Sequence, residues 1–240
     1  MGMFIIAASL KAQGPTSLIG DRENLGIFGG QATDLTYSGI DHRLFAAVET
    51  PFTLFYSDDT CQNWQPAFII DSMEYALGNR GWGGGAFRVL SNRKGWVAAH
   101  TGITTSFSSS VISYDNGNQF QTAFDPYLLQ ISTGASEDIH AIGLSDHFCF
   151  IVFDQHIVRT NDTLPGEIIL DMSALPGTSP GSYFQWIAPS NDPSGYPFYA
   201  IVNVGFQQTK LFVIYNGVYF ELPTPAGNSQ IQNVFTNPVG

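Results

Sequence analysis

A short turn motif that recurs along the chain restricts its fold more than any other feature of the sequence. The best copy is residues 113–120, SYDNGNQF, which separates two short runs of strand-forming residues. A second copy spans residues 57–64, SDDTCQNW, and weaker copies begin at Thr160 and Val213. Successive copies are 56, 47 and 53 residues apart. A repeat of about 50 residues indicates a chain made of similar units, each large enough for a small β-sheet.

The residue types in this motif are those that a tight turn between two strands requires. Gly117 can adopt the positive φ angle that other residues avoid. The side chains of Ser113 and Asp115 can bond back to amides of the turn, and Phe120 is placed to pack beneath it. The motif therefore predicts a β-hairpin turn, and its repetition predicts one such hairpin in each unit.

The second copy keeps Ser57, Asp59 and Trp64 but has Cys61 in place of the glycine. With these residues the chain resembles the Asp-box (BNR-like) β-propeller families, part of the sialidase/Vps10-like superfamily of secreted propellers, over roughly residues 31–240. The resemblance implies that each box is a structural device on the turn between the third and fourth strands of a blade. It also implies that the box is remote from the ligand-binding face.

The composition is typical of an all-β chain. Only 12% of the residues are charged and 14% are aromatic, with 25 glycines and 13 prolines. Strand-sized runs come in groups of four around each turn motif, and none is long enough for a helix. A four-stranded antiparallel sheet cannot cover its own faces, so neighbouring sheets must stack around an axis. The sequence therefore predicts an all-β fold, a β-propeller of four-stranded antiparallel blades.

Four blades are predicted, followed by the first strand of a fifth. The predicted bounds are residues 31–71, 85–125, 138–171 and 183–223 for the four blades, and 230–240 for the partial fifth. Because a closed ring normally completes its last sheet, we expect a fragment of a larger propeller, whose open last blade is completed by missing sequence or by another chain. The alternative is a ring that closes with a second copy or with its own first strand.

The N-terminal residues are expected to be an export signal. Residues 1–13 contain an apolar run that leads into small residues, which is typical of the end of a signal peptide, and residues 14–30 form a polar lead-in. The alternative for the apolar run is an ordinary first strand. No later segment approaches the roughly 20 apolar residues that span a bilayer. The formal charge of −11 argues against a nucleic-acid partner. We therefore expect a secreted or cell-surface protein.

If the turn motifs mark one rim of the propeller, the opposite rim carries the loops that lead from one blade to the next. Ligands of propellers usually bind at that rim. The glycine-rich loop 71–85 offers a carboxylate, a guanidinium and an indole, which together could stack a sugar and bond its hydroxyls. The alternative role of the indole is to seal the gap between blades. The predicted ligand-binding residues of this loop and the next are Glu74, Arg80, Trp82, Asp125 and Tyr127.

A glycoside hydrolase of an Asp-box propeller family, sialidase-like or xyloglucanase-like, is the alternative function. A catalytic pair of carboxylates could be assembled across the channel from Glu74, Asp125, Glu137 or Asp171, although many acidic chains would offer one. A sialidase needs three arginines that converge on the substrate carboxylate, and at most two of the six arginines are well placed for this. The five histidines lack metal-ligand spacing, and there is no Gly-x-Ser-x-Gly motif. The sequence therefore favours a non-catalytic module that binds protein or glycan, with no metal and no cofactor.

Overall fold

The strands that the structure describes form four separate antiparallel sheets, each of four strands in sequence order. The computed structural model describes residues 31–49, 53–59, 61–69, 87–101, 109–123, 133, 137–164, 166–205, 208–224 and 231. The four sheets confirm the predicted fold class, a propeller of four-stranded antiparallel blades.

Each sheet is one blade. Blade 1 contains β1 (Gln31–Ser38), β2 (Arg43–Glu49), β3 (Thr53–Ser57) and β4 (Gln65–Ile69). Blade 2 contains β5 (Phe87–Ser91), β6 (Val97–Thr101), β7 (Ser109–Ser113) and β8 (Gln121–Thr122). Blade 3 contains β9 (Ile139–Leu144), β10 (Cys149–Phe153), β11 (His156–Thr160) and β12 (Glu167–Asp171), followed by a single-turn 3-10 helix (Met172–Ala174). Blade 4 contains β13 (Tyr183–Pro189), β14 (Phe198–Gly205), β15 (Gln208–Tyr215) and β16 (Val218–Leu222).

The strand β10 shows why the blades stack. Its sequence CFIVF is apolar at every position, and all five residues are buried. Successive side chains of a strand point to opposite faces of the sheet, so both faces of blade 3 must be covered. Ile151 packs in one apolar cluster with Ala98 and Ile112 of blade 2. Phe150 packs in a second cluster with Phe198 of blade 4.

The first strands of successive blades lie next to one another, β1 against β5 and β9 against β13. Polar side chains join the first pair. Thr33 Oγ1 donates to the carbonyl of Phe87 at 2.7 Å, and the amide of Val89 donates to Asp34 Oδ2 at 3.1 Å. Burial raises the pKa of Asp34, although its bonds from backbone amides oppose that shift. The β1–β5 seam is therefore specified by hydrogen bonds as well as by apolar packing.

The two best turn motifs have matching hydrogen bonds. In the turn between β3 and β4, Ser57 Oγ donates to Asp59 Oδ1 at 2.7 Å and accepts from the amide of Cys61 at 3.0 Å. In the turn between β7 and β8, Ser113 Oγ donates to Asp115 Oδ1 at 2.6 Å and accepts from the amide of Gly117 at 2.9 Å. The fifth residue of each turn has positive φ, +70° in the first and +79° in the second.

The aromatic residue that ends each motif packs against apolar side chains of a blade. Trp64 is buried on one face of blade 1 in a cluster with Ala46 and Val48. The ring of Phe120 contacts the ring of Phe68 in blade 1, with 5.5 Å between their centroids. The second motif therefore packs against the neighbouring blade as well as closing its own hairpin.

Hydrogen bonds to the turn carboxylates lower their pKa values. The backbone and side-chain amides of Asn63, with the hydroxyl of Ser57, hold the pKa of Asp59 at about 2. For Asp115, burial acts to raise the pKa, but bonds from Ser113 and the following amides together lower it. Both turns are therefore built around an ionised carboxylate at neutral pH.

The pKa of Asp59 gives a direct prediction for acid stability. An unfolded aspartate has a pKa of about 3.9, so the contribution of Asp59 is complete above that pH and is lost as the pH falls toward about 2. We expect the free energy of unfolding in urea to fall in this window, and to fall less steeply in Asp59→Asn. Asp59→Asn/Asp115→Asn should flatten the profile further. An Asp59→Asn variant that keeps the wild-type slope would contradict this account.

The two weaker copies of the motif have become different turns. In the third, Asn161 Oδ1 accepts from the amides of Thr163 and Leu164 at 2.9 and 2.8 Å. The fourth copy rests in the sequence on Gly217 and Phe220, but Phe220 is the direct cross-strand partner of Val213, where the motif should begin. The fourth turn is instead a two-residue hairpin in which both Asn216 and Gly217 have positive φ, as Asn-Gly hairpins do.

Some of the sequence predictions lie outside the described residues. These are the signal segment 1–13, the lead-in 14–30 and, except for Ile231, the partial fifth blade 230–240. The amide of Ile231 donates to Thr209 Oγ1 of β15 at 2.9 Å. Cys61 and Cys149 are both free thiols.

Candidate functional site

Three connecting segments of blade 3 meet at the rim opposite the turn motifs. They are the residues before β9, the turn between β10 and β11, and the end of β12. The start of β13 in blade 4 lies beside them. We call this group the blade 3 rim cluster, and its members are Glu137, His140, Asp154, His156, Asp171 and Tyr183.

The centre of the blade 3 rim cluster is a histidine between two carboxylates. His156 Nδ1 lies 2.5 Å from Glu137 Oε1, and its Nε2 lies 3.5 Å from Asp171 Oδ2. The side chain of Glu137 is only 3% exposed, whereas that of Asp171 is 52% exposed. Glu137 Oε2 also accepts from the amide of Gln155 at 2.8 Å. The buried carboxylate therefore fixes both the β10–β11 turn and one side of the imidazole, and the exposed carboxylate faces solvent.

A second histidine and carboxylate pair lies in the same cluster. His140 Nε2 is 2.6 Å from Asp154 Oδ1, and Asp154 Oδ2 accepts from the amide of Asp138 at 3.0 Å. The ring of His140 stacks on the ring of Tyr183, with 4.8 Å between centroids and 24° between planes. The hydroxyl of Tyr183 in turn accepts from Asn203 Nδ2 at 3.1 Å. Blade 4 therefore supports the imidazole of blade 3.

Backbone hydrogen bonds hold this part of the rim rigid. Gln155 Nε2 donates to the carbonyl of Ser182 at 2.6 Å, and the amide of Phe184 donates to the carbonyl of Asp154 at 3.0 Å. The amide of Met172 donates to the carbonyl of Gln155 at 2.8 Å. The β10–β11 turn is thus bonded to the end of its own blade and to the start of the next.

The two more exposed carboxylates of the cluster are held in the ionised form. The hydroxyl and amide of Ser173 lower the pKa of Asp171, and the His140 ring lowers the pKa of Asp154. A general acid in glycoside hydrolysis needs the opposite shift, because it must carry a proton at neutral pH. Asp171 and Asp154 are therefore suited to accept hydrogen bonds from a ligand rather than to give it a proton.

Asp34 has the raised pKa that a general acid would need, but its surroundings give it a structural role. Both carboxyl oxygens accept from backbone amides, Oδ1 from Leu35 at 3.0 Å and Oδ2 from Val89 at 3.1 Å. Since Val89 is in the next blade, this carboxyl group joins two sheets. We assign it to the β1–β5 seam.

The five predicted ligand-binding residues lie outside the described residues, so the structure does not test them. They are Glu74, Arg80, Trp82, Asp125 and Tyr127. Four residues of the corresponding later loops are described, and the structure brings them together around the blade 3 rim: Glu137, Asp138, Asp171 and Tyr183.

Sequence reasoning missed the members of the cluster that connect these loops, namely Asp154, His156 and His140. The available signal was the polar sequence Asp154-Gln155-His156 between the apolar strand β10 and the apolar pair Ile157-Val158 of β11, which marks the β10–β11 turn. The partners of these residues are contributed by other strands, and the sequence gives no direct indication of that pairing.

The described arginines do not form a carboxylate-binding set. The guanidinium of Arg43 donates to Asp58 Oδ1 at 2.6 Å and also to the carbonyl of Asn116, so it joins the turn motifs of blades 1 and 2. The guanidinium of Arg159 is bonded to Glu167 and to the carbonyl of Ser194 in blade 4. Both arginines lie at the turn-motif rim and serve contacts within and between blades.

Two absences hold within the described ranges. No group of three His, Cys, Asp or Glu side chains there has the arrangement of a metal site. The same residues contain no helix of the length and apolar character that a bilayer span requires.

These sheets and their order define the fold as a β-propeller of four-stranded antiparallel blades. The chain resembles a GH74 xyloglucanase from Xanthomonas campestris with a TM-score of 0.54 and 14% identity, over 79% of this chain and 29% of that one. It also matches YCF48 bound to a D1 peptide (TM-score 0.48, 13% identity, 82% of this chain and 55% of that one). A third match is a K499G mutant of NanB sialidase from Streptococcus pneumoniae (TM-score 0.37, 13% identity, 74% and 28%).

The chain spans about half of the matched YCF48 chain and less than a third of the two enzymes. At these identities the likeness defines the fold and not the activity. No protein-family model and no curated protein sequence matches the chain.

Proposed function

We propose that this protein is an exported, non-catalytic propeller that binds a protein or a glycan through the rim opposite the turn motifs. The observation that carries the proposal is Asp171, an exposed carboxylate at this rim that Ser173 and His156 hold in place and whose pKa Ser173 lowers. Fixed acceptors at an exposed rim suit a ligand with hydroxyl, amide or ammonium donors. Sugars and basic peptide segments both have that chemistry.

In this proposal the opposite rim has a structural role. The Ser57–Asp59 and Ser113–Asp115 turns are Asp-box motifs that close the third hairpin of their blades. Their carboxylates are saturated by local bonds, since Asp59 Oδ1 accepts from Ser57 Oγ and from the amides of Gln62 and Asn63. Asp171 has fewer local donors, Ser173 and the more distant His156, and its side chain is 52% exposed, so it keeps lone pairs for a ligand.

The test is a binding screen with variants on both rims. The full chain is screened against an array of neutral and acidic glycans and an array of basic peptides, and each hit is measured by calorimetry. We expect Asp171→Asn to weaken binding about tenfold, which corresponds to about 1.4 kcal/mol. Asp192→Asn is the matched control, because Asp192 is also exposed, accepts from Ser194 and has a lowered pKa, but lies between β13 and β14 at the turn-motif rim.

Three results would count against the proposal. The first is the absence of any binding by the wild-type chain, and the second is an equal loss in Asp171→Asn and Asp192→Asn. The third is turnover, since release of reducing sugar from xyloglucan or of sialic acid from a sialoside, lost in Asp171→Asn, would indicate the alternative function of a glycoside hydrolase.

A further inference from the structure

The outer strands of the four blades differ in how their free edges are protected against pairing. β4 contains Pro66 and a break in its register with β3. β8 has only two residues, and β12 begins with Glu167 and also has a break in register. Prolines, bulges, charges and short length are the usual devices that keep an edge strand from pairing with another chain. β16 has no proline, and its five residues pair with β15 without interruption.

The open edge of β16 is also apolar. Val218 and Phe220 are 53% and 59% exposed, and Tyr215 beside them is 59% exposed. Among the described strands, β16 pairs only with β15, so its outer backbone groups face outward. The only charge on the strand is Glu221, which accepts from Lys210 Nζ at 2.9 Å. β16 therefore presents a regular, nearly neutral strand edge on a chain whose formal charge is −11.

We propose that two copies of this chain pair edge to edge through β16, in antiparallel orientation about a two-fold axis at Phe220. In this register Phe220 faces Phe220 of the partner subunit, Val218 faces Leu222 of the partner subunit, and Tyr219 faces Glu221 of the partner subunit. Apolar residues then oppose apolar residues, and the acidic side chain opposes a tyrosine. The two fourth blades form one continuous eight-stranded sheet.

The charges near β16 support this register, and they support a second copy of the chain as the partner that pairs with this edge. A register centred on Glu221 would place two carboxylates directly opposite each other, which destabilises an antiparallel pair. A basic partner would find little to bind, because Lys210 already neutralises the one carboxylate of the edge. Cross-strand pairing of identical strands about a two-fold axis is self-complementary, and two-fold pairs are the commonest protein assemblies.

The test measures the molar mass of the full chain by sedimentation velocity over a range of concentrations. We expect a concentration-dependent species of twice the chain mass, and we expect salt to strengthen it because salt screens the repulsion between two acidic copies. Phe220→Glu places two carboxylates at the axis and should weaken the pair about tenfold or more. Ile168→Glu is the matched control, since Ile168 is 43% exposed on the protected strand β12.

A cysteine pair tests the register itself. Phe220→Cys should give a disulfide-linked dimer under mild oxidation, whereas Ile168→Cys and the parent chain with Cys61 and Cys149 should not.

Thermal unfolding of each variant shows whether it is folded, and Val218→Lys replaces Phe220→Glu if that variant does not fold. A wild-type chain that is monomeric at all concentrations overturns the proposal, as does a dimer or larger assembly that persists in the folded edge variants.

Discussion

Gly117→Ala is expected to destabilise the protein by roughly 2–5 kcal/mol, the sum of about 1–2 kcal/mol for an alanine at positive φ and about 1–3 kcal/mol for overpacking. Gly117 has φ of +79°, and an added Cβ would lie 2.5 Å from Cε1 of Phe45 in blade 1. Phe45 is fully buried, so its ring has little room to move. Denaturant unfolding measures the effect.

Gly217→Ala is the matched control for this prediction. Gly217 also has φ of +79°, but an added Cβ would have no atom within 4 Å. Its cost should therefore be the backbone cost alone, about 1–2 kcal/mol. Gly117→Ala/Phe45→Leu should cost less than the sum of the two single variants, because the leucine removes the ring atoms that clash. Equal losses in Gly117→Ala and Gly217→Ala would show that the contact between blades has no effect on stability.

Glu137→Ala is expected to lower the free energy of unfolding by roughly 2–6 kcal/mol, since each of two buried partners left without a bond costs about 1–3 kcal/mol. The Glu137 carboxylate is hydrogen-bonded to the amide of Gln155 and to the imidazole of His156, and the Glu137 side chain is almost fully buried. Removing it leaves the amide of Gln155 and Nδ1 of His156 without a bond beneath the β10–β11 turn. The melting temperature should fall by roughly 2–4 °C for each kcal/mol lost.

Asp171→Ala is the comparison for Glu137→Ala, because Asp171 contacts the same histidine from the exposed side. An exposed pair contributes about 0–1 kcal/mol, so this variant should stay close to wild type in stability. Asp171 matters instead for the proposed binding. A loss of stability in Asp171→Ala as large as that in Glu137→Ala would mean that the cluster has no separate structural and exposed sides.

Much of the fold could be predicted from the sequence because its signals are local. Residues 113–120 contain a serine, an aspartate and a glycine whose hydrogen bonds all close within four residues. The apolar runs around such turns have strand length. Four such runs joined by short turns can pair only with their neighbours along the chain, which gives a four-stranded meander. The fourth copy misled because Gly217 was matched to the longer motif, whereas Asn216-Gly217 signals a two-residue hairpin, as the pairing of Tyr215 with Val218 shows.

The candidate site was harder to predict, because its members come from separate strands. Glu137 and Asp171 could be placed on one rim from strand polarity, but the imidazole between them could not. His156 is paired with Glu137 only because β11 begins beside the segment that enters β9.

By itself, then, the sequence determined the repeat, the turns and the all-β class, since these depend on contacts within a few residues. Only the tertiary structure decided that Gly117 meets Phe45, that two carboxylates flank His156 and that β16 has an open edge among the described strands. The first feature arises when blades stack, and the other two depend on how strands distant in sequence pair within a blade.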